Sequence, residues 1–138
     1  GPAAAAGNYV SSVRTGNLVY LAGVGPRQPN GELVFGKLGR DLTVEQGYEA
    51  AKWCAISLLG NLQREIGDLN KVVRFVKLLG MVNSDPDFTQ PPAVINGCSD
   101  LIVELYGDRG RHARSAVGLA TLPNGMAVEV EAIVEVRD

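Results

Sequence analysis

The sequence predicts an α+β fold, a single domain over residues 1–138 in which a mixed sheet of five strands is covered on one face by two helices. Its length is that of one domain, and its 46% hydrophobic and 20% charged residues are ordinary for a globular protein. Apolar residues recur with helical spacing in two long segments. Strand-like runs surround these segments in the order ββαβαββ, and two helices can cover only one face of a sheet.

Two β-rich runs, at residues 9–13 and 18–22, are separated by Thr-Gly-Asn at 15–17. Turn residues between two such runs are typical of a β-hairpin. An Asn-Gly pair at 30–31 indicates a second tight turn, with a possible short strand at residues 32–36 (ELVFG) after it.

The first helix begins with a T-x-x-Q capping box at Thr43 and Gln46. In this motif the Thr hydroxyl and the Gln side-chain amide form hydrogen bonds with backbone N–H groups that are otherwise free at the start of a helix. The helix is predicted to run to about Ile66 and to end at Gly67. One stripe of the helix is apolar and consists of Ala51, Ala55, Leu58, Leu59, Leu62 and Ile66. Residues 71–82 (KVVRFVKLLGMV) then predict a long, largely buried strand.

A second helical region follows Asp-Pro at 85–86, and Pro-Pro at 91–92 either delays the regular helix or occupies its first turn. Gly107 ends this helix. Its apolar stripe has the spacing of a helix face and consists of Val94, Ile95, Cys98, Leu101, Ile102 and Leu105.

Residues 114–122 (RSAVGLATL) and 127–136 (AVEVEAIVEV) predict the last two strands, around a Pro-Asn-Gly turn at 123–125. Alternation gives the final strand two unlike faces. The face that belongs under the helices consists of Val128, Val130, Ala132, Val134 and Val136. The other face consists of Glu129, Glu131, Ile133 and Glu135. This second face lies next to apolar side chains of neighbouring strands and is therefore not suited to exposure to bulk solvent. We predict a homo-oligomer whose sheets face one another. The pattern does not fix the number of copies.

The charge balance argues against nucleic-acid binding, because the formal net charge is −2 and such proteins usually carry a basic footprint. No apolar run approaches the roughly 20 residues of a membrane-spanning helix. The first ten residues (GPAAAAGNYV) lack the basic segment of a secretory signal, so we expect a cytoplasmic protein.

Cys54 and Cys98 lie in apolar helical patterns, and we expect reduced, buried thiols. The chain has one histidine and no CxxC motif, so no metal site is expected.

The segment RHARSAVG, at residues 111–118, places Arg114 at the start of a predicted strand. The planar guanidinium of an arginine binds a carboxylate through two parallel hydrogen bonds and stays charged at any working pH. We interpret Arg114 as the group that binds the carboxylate of a small substrate. The alternative is a structural ion pair.

Three segments, GNYVSSVRTGNLVYLAG, GDLNKVVRFVKLLGMVN and RHARSAVGLATLPNGMAVEVEAIVEV, together resemble the Rid (YjgF) family of enamine/imine deaminases. The resemblance runs over essentially the whole chain and is greatest to the subgroup labelled chorismate-mutase-like, a label that refers to the fold. It implies a homotrimeric β-barrel with the helices outside and three clefts between neighbouring chains.

The resemblance also implies roles for individual residues. Arg114 and Ser115 match an Arg-Ser pair whose arginine binds the substrate carboxylate. Glu129 matches a glutamate that holds the hydrolytic water, and Tyr9 matches a tyrosine that closes the cleft. Asn96 matches an asparagine in the second helical region of the family.

Two positions depart from the family pattern. Ala22, just before the family glycine at Gly23, replaces a serine, and Ala116 replaces a cysteine. Both positions belong to the implied substrate-binding wall and have lost a polar group. The usual PARS is HARS here, which places His112 near the site as an expected rim residue.

The resemblance therefore implies hydrolysis of small 2-enamino or 2-imino acids to 2-keto acids and ammonia, without a metal or organic cofactor. Ala22 and Ala116 favour an alternative, a protein that binds a small carboxylate without turnover. An endoribonuclease activity, also attached to the family name, is disfavoured by the acidic balance and the single histidine. Chorismate mutase activity is the weakest alternative, because one arginine per cleft is few for a dicarboxylate unless Arg111 joins it.

Overall fold

The computed structural model describes residues 7–138 and contains one five-stranded sheet and two long helices. The prediction that no secretory signal is present depends partly on residues 1–6 and so lies outside the described residues. The elements in chain order are β1 Ser12–Thr15, β2 Leu18–Val24, α1 Val44–Ile66, β3 Val72–Asn83, α2 Pro91–Tyr106, β4 Ala113–Leu119 and β5 Val128–Val136.

The strands lie in the order β1-β2-β5-β3-β4, so β1 and β4 form the two edges of the sheet. β3 and β4 are parallel, and every other neighbouring pair is antiparallel. Parallel strands need a crossover connection, and α2 supplies it between β3 and β4. The predicted mixed sheet with two helices is confirmed.

Helix α1 begins at the predicted capping box. The hydroxyl of Thr43 accepts a hydrogen bond from the backbone N–H of Gln46 at 3.2 Å. The side-chain oxygen of Gln46 accepts one from the backbone N–H of Thr43 at 2.8 Å. Gly67, with φ of 83°, ends the helix and donates its N–H to the carbonyl of Gln63.

Glycines set the close packing of α2. A Cβ added at Gly97 would lie 1.9 Å from the carbonyl oxygen of Tyr48 on α1, so the two helices touch backbone to backbone. A Cβ added at Gly80 on β3 would lie 2.6 Å from the side chain of Ile95 on α2. Both helices thus lie on the same face of the sheet.

The two faces of the sheet differ as the final strand predicted. The alternate β5 residues from Val128 to Val136 are buried beneath the helices. On the opposite face, Tyr20 of β2 pairs with Ile133 of β5. Met81 of β3 lies between Val117 of β4 and Glu129 of β5 and pairs with both. Tyr20 and Val117 are 44% and 42% exposed in a single chain. This second face, hereafter the open face, is uncovered within the described residues.

Three predicted boundaries were wrong. Residues 32–36 form isolated bridges instead of a strand, because Leu33 pairs with Arg27 whereas Phe35 pairs with Met126. β1 begins at Ser12 and not at residue 9, and β4 ends at Leu119, three residues early. The prolines at 91–92 occupy the first turn of α2. In residues 7–138, no helix has the length and apolarity required to cross a membrane.

Candidate active site

Arg114 is the second residue of the edge strand β4, and it pairs with Leu78 of β3. Leu78 is fully buried under the helices. Neighbouring residues in register share a face of the sheet, so the side chain of Arg114 leaves the sheet on the helix side. There it meets the exposed flank of α2.

Two residues of α2 hold the guanidinium. Nη1 of Arg114 donates to Oδ1 of Asn96 at 2.8 Å and to Oγ of Ser99 at 3.2 Å. Asn96 and Ser99 are three residues apart and therefore lie on one helix face. These two bonds use both hydrogens of Nη1. Nε and Nη2 make no hydrogen bond or ion pair with any residue in 7–138, so this edge of the fork is open to a carboxylate.

Ser99 is in turn bonded to His112. Oγ of Ser99 and Nε2 of His112 are 2.9 Å apart, and Nδ1 of His112 lies 2.7 Å from the carbonyl oxygen of Gly110. A carbonyl can only accept, so Nδ1 carries the proton and Nε2 accepts from the Ser99 hydroxyl. The result is a continuous chain from Arg114 through Ser99 and His112 to the backbone at Gly110.

His112 stays neutral near pH 7. Burial lowers the pKa of His112 below its usual value, the bond to the carbonyl of Gly110 opposes this, and the positive charge of Arg114 lowers the pKa further. The side chain is half-buried, and both of its ring nitrogens have hydrogen-bond partners. Sequence reasoning missed Ser99, although its position one turn after Asn96 on the same face of α2 was a usable signal.

A second group of predicted residues lines a cavity of about 960 Å³ beside β2, to which the loop after β2, α1, the turn before β5 and β5 itself all contribute. Tyr9, Ala22, Gly23 and Glu129 all belong to this wall. The wall is continued by residues of α1 that sequence reasoning did not identify, namely Trp53, Ile56, Ser57, Gly60, Asn61 and Gln63. The volume lies within the range of small-molecule sites.

The carboxylate of Glu129 packs directly on Gly23. A Cβ added at Gly23 would lie 2.2 Å from Oε2 of Glu129, so the missing side chain makes room for this carboxylate. Burial raises the pKa of Glu129, and the nearby charge of Glu131 raises it further. A carboxylate with a raised pKa is suited to proton transfer near neutral pH.

A single chain does not bring Arg114 and Glu129 together. Arg114 shares a row of the sheet with Leu78 and Ala132, which face the helices. Glu129 follows the buried Val128, pairs with Met81 and faces the open side. The candidate residues therefore form two separate groups, hereafter the half-sites. The Arg114 half-site contains Asn96, Ser99 and His112, and the Glu129 half-site contains Tyr9, Ala22 and Gly23.

The remaining predicted positions follow the same alternation along β4. Ala116 pairs with Gly80 and lies on the helix side with Arg114, where it adds no polar group. Ser115 pairs with Leu79 and lies on the open face. One strand therefore sends Arg114 and Ser115 to opposite sides.

The other charged and thiol groups have separate structural roles. Arg109 donates to the carbonyl of Val72 at 2.8 Å, and Arg111 pairs with Asp108 at 3.2 Å. Cys54 and Cys98 are buried and form no disulfide with each other, and burial raises the pKa of Cys98 to about 12, against a smaller opposing effect of Arg114. Across residues 7–138, no group of three or more His, Cys, Asp or Glu side chains is arranged to hold a metal ion.

Comparison with known proteins agrees with this architecture. The sequence model of the YjgF/chorismate-mutase-like family, whose description also carries an endoribonuclease label, matches residues 1–134. A protein of unknown function from Agrobacterium tumefaciens has a crystal structure that superposes with a TM-score of 0.92. It is 44% identical, and the match covers 94% of this chain and 82% of that one.

Two curated relatives align over nearly the full length. Protein TCP17 of Trypanosoma cruzi is 47% identical over 99% of this chain and 86% of its own length. The 2-iminobutanoate/2-iminopropanoate deaminase of Mus musculus is 33% identical over 94% of this chain and 82% of its own length. The chain therefore belongs to the YjgF/chorismate-mutase-like family.

Proposed function

We propose that this protein hydrolyses small 2-imino acids, and the 2-enamino acids that tautomerise to them, to 2-keto acids and ammonia. The observation that carries the proposal is the Arg114 guanidinium, whose Nη1 is held by Asn96 and Ser99 while Nε and Nη2 are left for a ligand. A free, oriented fork of this kind suits a carboxylate. The name of the mouse relative supports a 2-imino acid as the molecule that bears it.

Glu129 is proposed to handle the protons. As general base, it takes a proton from a water molecule whose oxygen bonds to C2 of the imine, and the π pair of the C=N bond moves to nitrogen. As general acid, it returns a proton to nitrogen. Glu129 then takes the hydroxyl proton of the resulting amino alcohol and delivers it to the amino nitrogen, so that the C–N bond breaks, ammonia leaves and the remaining oxygen becomes the keto oxygen. No metal or organic cofactor is needed for these steps.

Positioning supplies much of the expected acceleration, because an imine already hydrolyses slowly in water. The carboxylate on Arg114 would fix C2 relative to Glu129. Tyr9, Ala22 and Gly23 line the cavity at Glu129 and would exclude bulk solvent from the reacting carbon. Ala116 lies on the helix side with Arg114 and is proposed to flank the substrate, whereas Ser115 faces the open side.

The two half-sites lead us to propose a homo-oligomer with clefts between neighbouring chains, and the family resemblance implies that it has three copies. Arg114 and Glu129 lie on opposite faces of one sheet, so a complete site needs Arg114 from one copy and Glu129 from the next. Tyr20, Val117 and Ile133 on the open face provide apolar surface for the contact between copies. We place the activity in the cytoplasm, where pyridoxal-phosphate dehydratases release such intermediates.

The test couples the purified protein to a serine or threonine dehydratase and follows keto-acid formation. We expect formation faster than in buffer alone, and a loss of about 10- to 100-fold in kcat/KM for Arg114→Ala, the value of a charged hydrogen-bonded contact. Arg111→Ala is the matched control, because its partner Asp108 is exposed. A rate equal to buffer, or equal rates for wild type and Arg114→Ala, would refute the proposal.

Ala116 favours a second candidate, a carboxylate-binding protein without turnover. It lies beside Arg114 on the helix side and offers no polar atom to orient a substrate. Saturable binding of pyruvate in calorimetry, without any acceleration of imine hydrolysis, would establish this alternative. Binding accompanied by acceleration would exclude it.

A further inference from the structure

We propose that His112, acting through Ser99, is a positioning residue that orients the Arg114 guanidinium for carboxylate binding. The inference rests on the proposed function for its ligand. It assigns a role to the only histidine of the chain and to a serine that the sequence did not single out. Neither residue needs to touch the substrate.

The hydrogen bonds from Gly110 to Ser99 have a defined direction. Gly110 offers a carbonyl to Nδ1 of His112, so the proton of the neutral imidazole is fixed on that nitrogen. Nε2 is then an acceptor and takes the hydroxyl proton of Ser99 at 2.9 Å. With its own proton committed, Ser99 presents a lone pair to Arg114.

The Ser99 oxygen also restricts the orientation of the Arg114 guanidinium. Nη1 of Arg114 has two hydrogens, and Asn96 accepts one of them while Ser99 accepts the other. Two acceptors fix the plane of the fork, whereas Asn96 alone would allow rotation about its single bond. Without His112, the Ser99 hydroxyl loses the acceptor that holds its proton, so the oxygen is no longer fixed in place as the second acceptor for Nη1.

The contacts of His112 distinguish a positioning role from a purely structural one. His112 bridges the segment before β4 to α2, but its two hydrogen bonds go to a buried backbone carbonyl and to Ser99. A nearby hydrogen bond offers a matched comparison. The hydroxyl of Tyr48 donates to Asp100, the residue after Ser99, at 2.8 Å, and this bond is not one of those that link Gly110, His112, Ser99 and Arg114.

The kinetic experiment compares His112→Leu, Ser99→Ala, the double variant and Tyr48→Phe in the imine hydrolysis assay. We expect each single variant in the chain of bonds to raise KM by about two- to tenfold, the value of one hydrogen bond, with kcat nearly unchanged. The double variant should raise KM no more than Ser99→Ala alone, because the two residues act in series. His112→Gln, which keeps an acceptor for Ser99, should restore most of the affinity, and Tyr48→Phe should match wild type.

A spectroscopic experiment does not depend on turnover. The single histidine gives unambiguous ¹⁵N imidazole signals, which should show a protonated Nδ1 and an unprotonated Nε2 at pH 7. Titration with pyruvate should shift the Nε2 signal in the wild type and leave it unchanged in Arg114→Ala.

The outcomes separate the two proposals. Pyruvate-dependent shifts without imine hydrolysis would refute the proposed function and leave the role of His112 intact. Normal hydrolysis with an unchanged KM in both His112→Leu and Ser99→Ala would refute the role of His112 alone. Multiplicative effects in the double variant, or an Nε2 that carries the proton, would also overturn it.

Discussion

Gly23 has no side chain, and the carboxylate of Glu129 occupies the space beside it. A Cβ at residue 23 would lie too close to the Glu129 carboxylate for both to fit. The clashing atom is the end of a flexible side chain, so a larger residue at 23 would displace the carboxylate without opening the fold. The position of the Glu129 carboxylate therefore depends on the absence of a side chain at residue 23.

We predict that Gly23→Ala lowers kcat by at least tenfold while the melting temperature changes little, because Glu129 leaves its place beside the reacting carbon. Steady-state kinetics and thermal unfolding check both parts. Gly16→Ala is an informative contrast, since a Cβ there meets no atom within 4 Å but the φ of 58° strains the backbone. An unchanged kcat in Gly23→Ala would contradict the steric argument.

The pH dependence of the reaction should report on Glu129. Burial is the larger cause of its raised pKa and Glu131 the smaller, so the acid limb of kcat/KM should lie above the usual pKa of a glutamate. Activity requires the ionised form and is lost as the pH falls through this pKa. We predict that Glu131→Gln, which removes a neighbouring negative charge, moves the acid limb to lower pH but only partly restores the usual value. A shift to higher pH would show that the sign of this coupling is wrong.

His112 should make the free energy of unfolding depend on pH in the acidic range. The folded state lowers the pKa of His112, so the unfolded chain binds a proton more readily and stability falls as the pH drops below the unfolded value of about 6.5. We predict that the free energy of unfolding of the wild type declines more between pH 7.5 and pH 5 than that of His112→Gln. Urea unfolding at several pH values measures the difference, and equal declines would contradict the prediction.

At the scale of elements, α1 and α2 meet at a crossing where Gly97 lies against the backbone of Tyr48. A backbone carbonyl cannot move aside as a side chain can. We predict that Gly97→Ala destabilises the protein by about 1–3 kcal/mol or more, since overpacking of a close contact costs this much. Chemical denaturation measures it. Gly47→Ala, which meets only side chains of Leu38 and Val94, should cost less.

The elements themselves were largely predictable, because each has a strong local signal. The capping box at Thr43 fixed the start of α1, and alternation along β5 separated its buried and open faces. Residues 32–36 were predicted less well, because their pairing with Arg27 and Met126 depends on distant chain segments that local pattern cannot reveal.

The candidate site was predictable only as a set of residues. Arg114 and Glu129 came from resemblance and chemistry, but their placement on opposite faces depends on the register of β4 and β5 against β3. Ser99 and the bonded state of His112 needed the position of α2 over β4, which no single segment encodes.

At the scale of the whole molecule, the division into half-sites allows one test of the assembly. Alone, Arg114→Ala should lose about 10- to 100-fold in kcat/KM and Glu129→Gln about 10²- to 10⁴-fold. Mixed oligomers formed by co-refolding equal amounts should recover about a quarter of wild-type activity, because one cleft in four then receives both intact residues. Sedimentation should give a mass three times the 14.6 kDa of one chain. No recovery in the mixture would place the two residues in one chain's site.

The separation of Arg114 from Glu129 by the thickness of a sheet has a consequence for the enzyme in dilute solution. Under the proposed function, a dissociated protomer holds only fragments of two different catalytic centres and turns over nothing. Specific activity should then fall once the protein is diluted below the dissociation constant of its assembly, while the secondary structure of the individual chains persists. Mass action would in this way link the cell's capacity to clear reactive imines to the abundance of the protein itself.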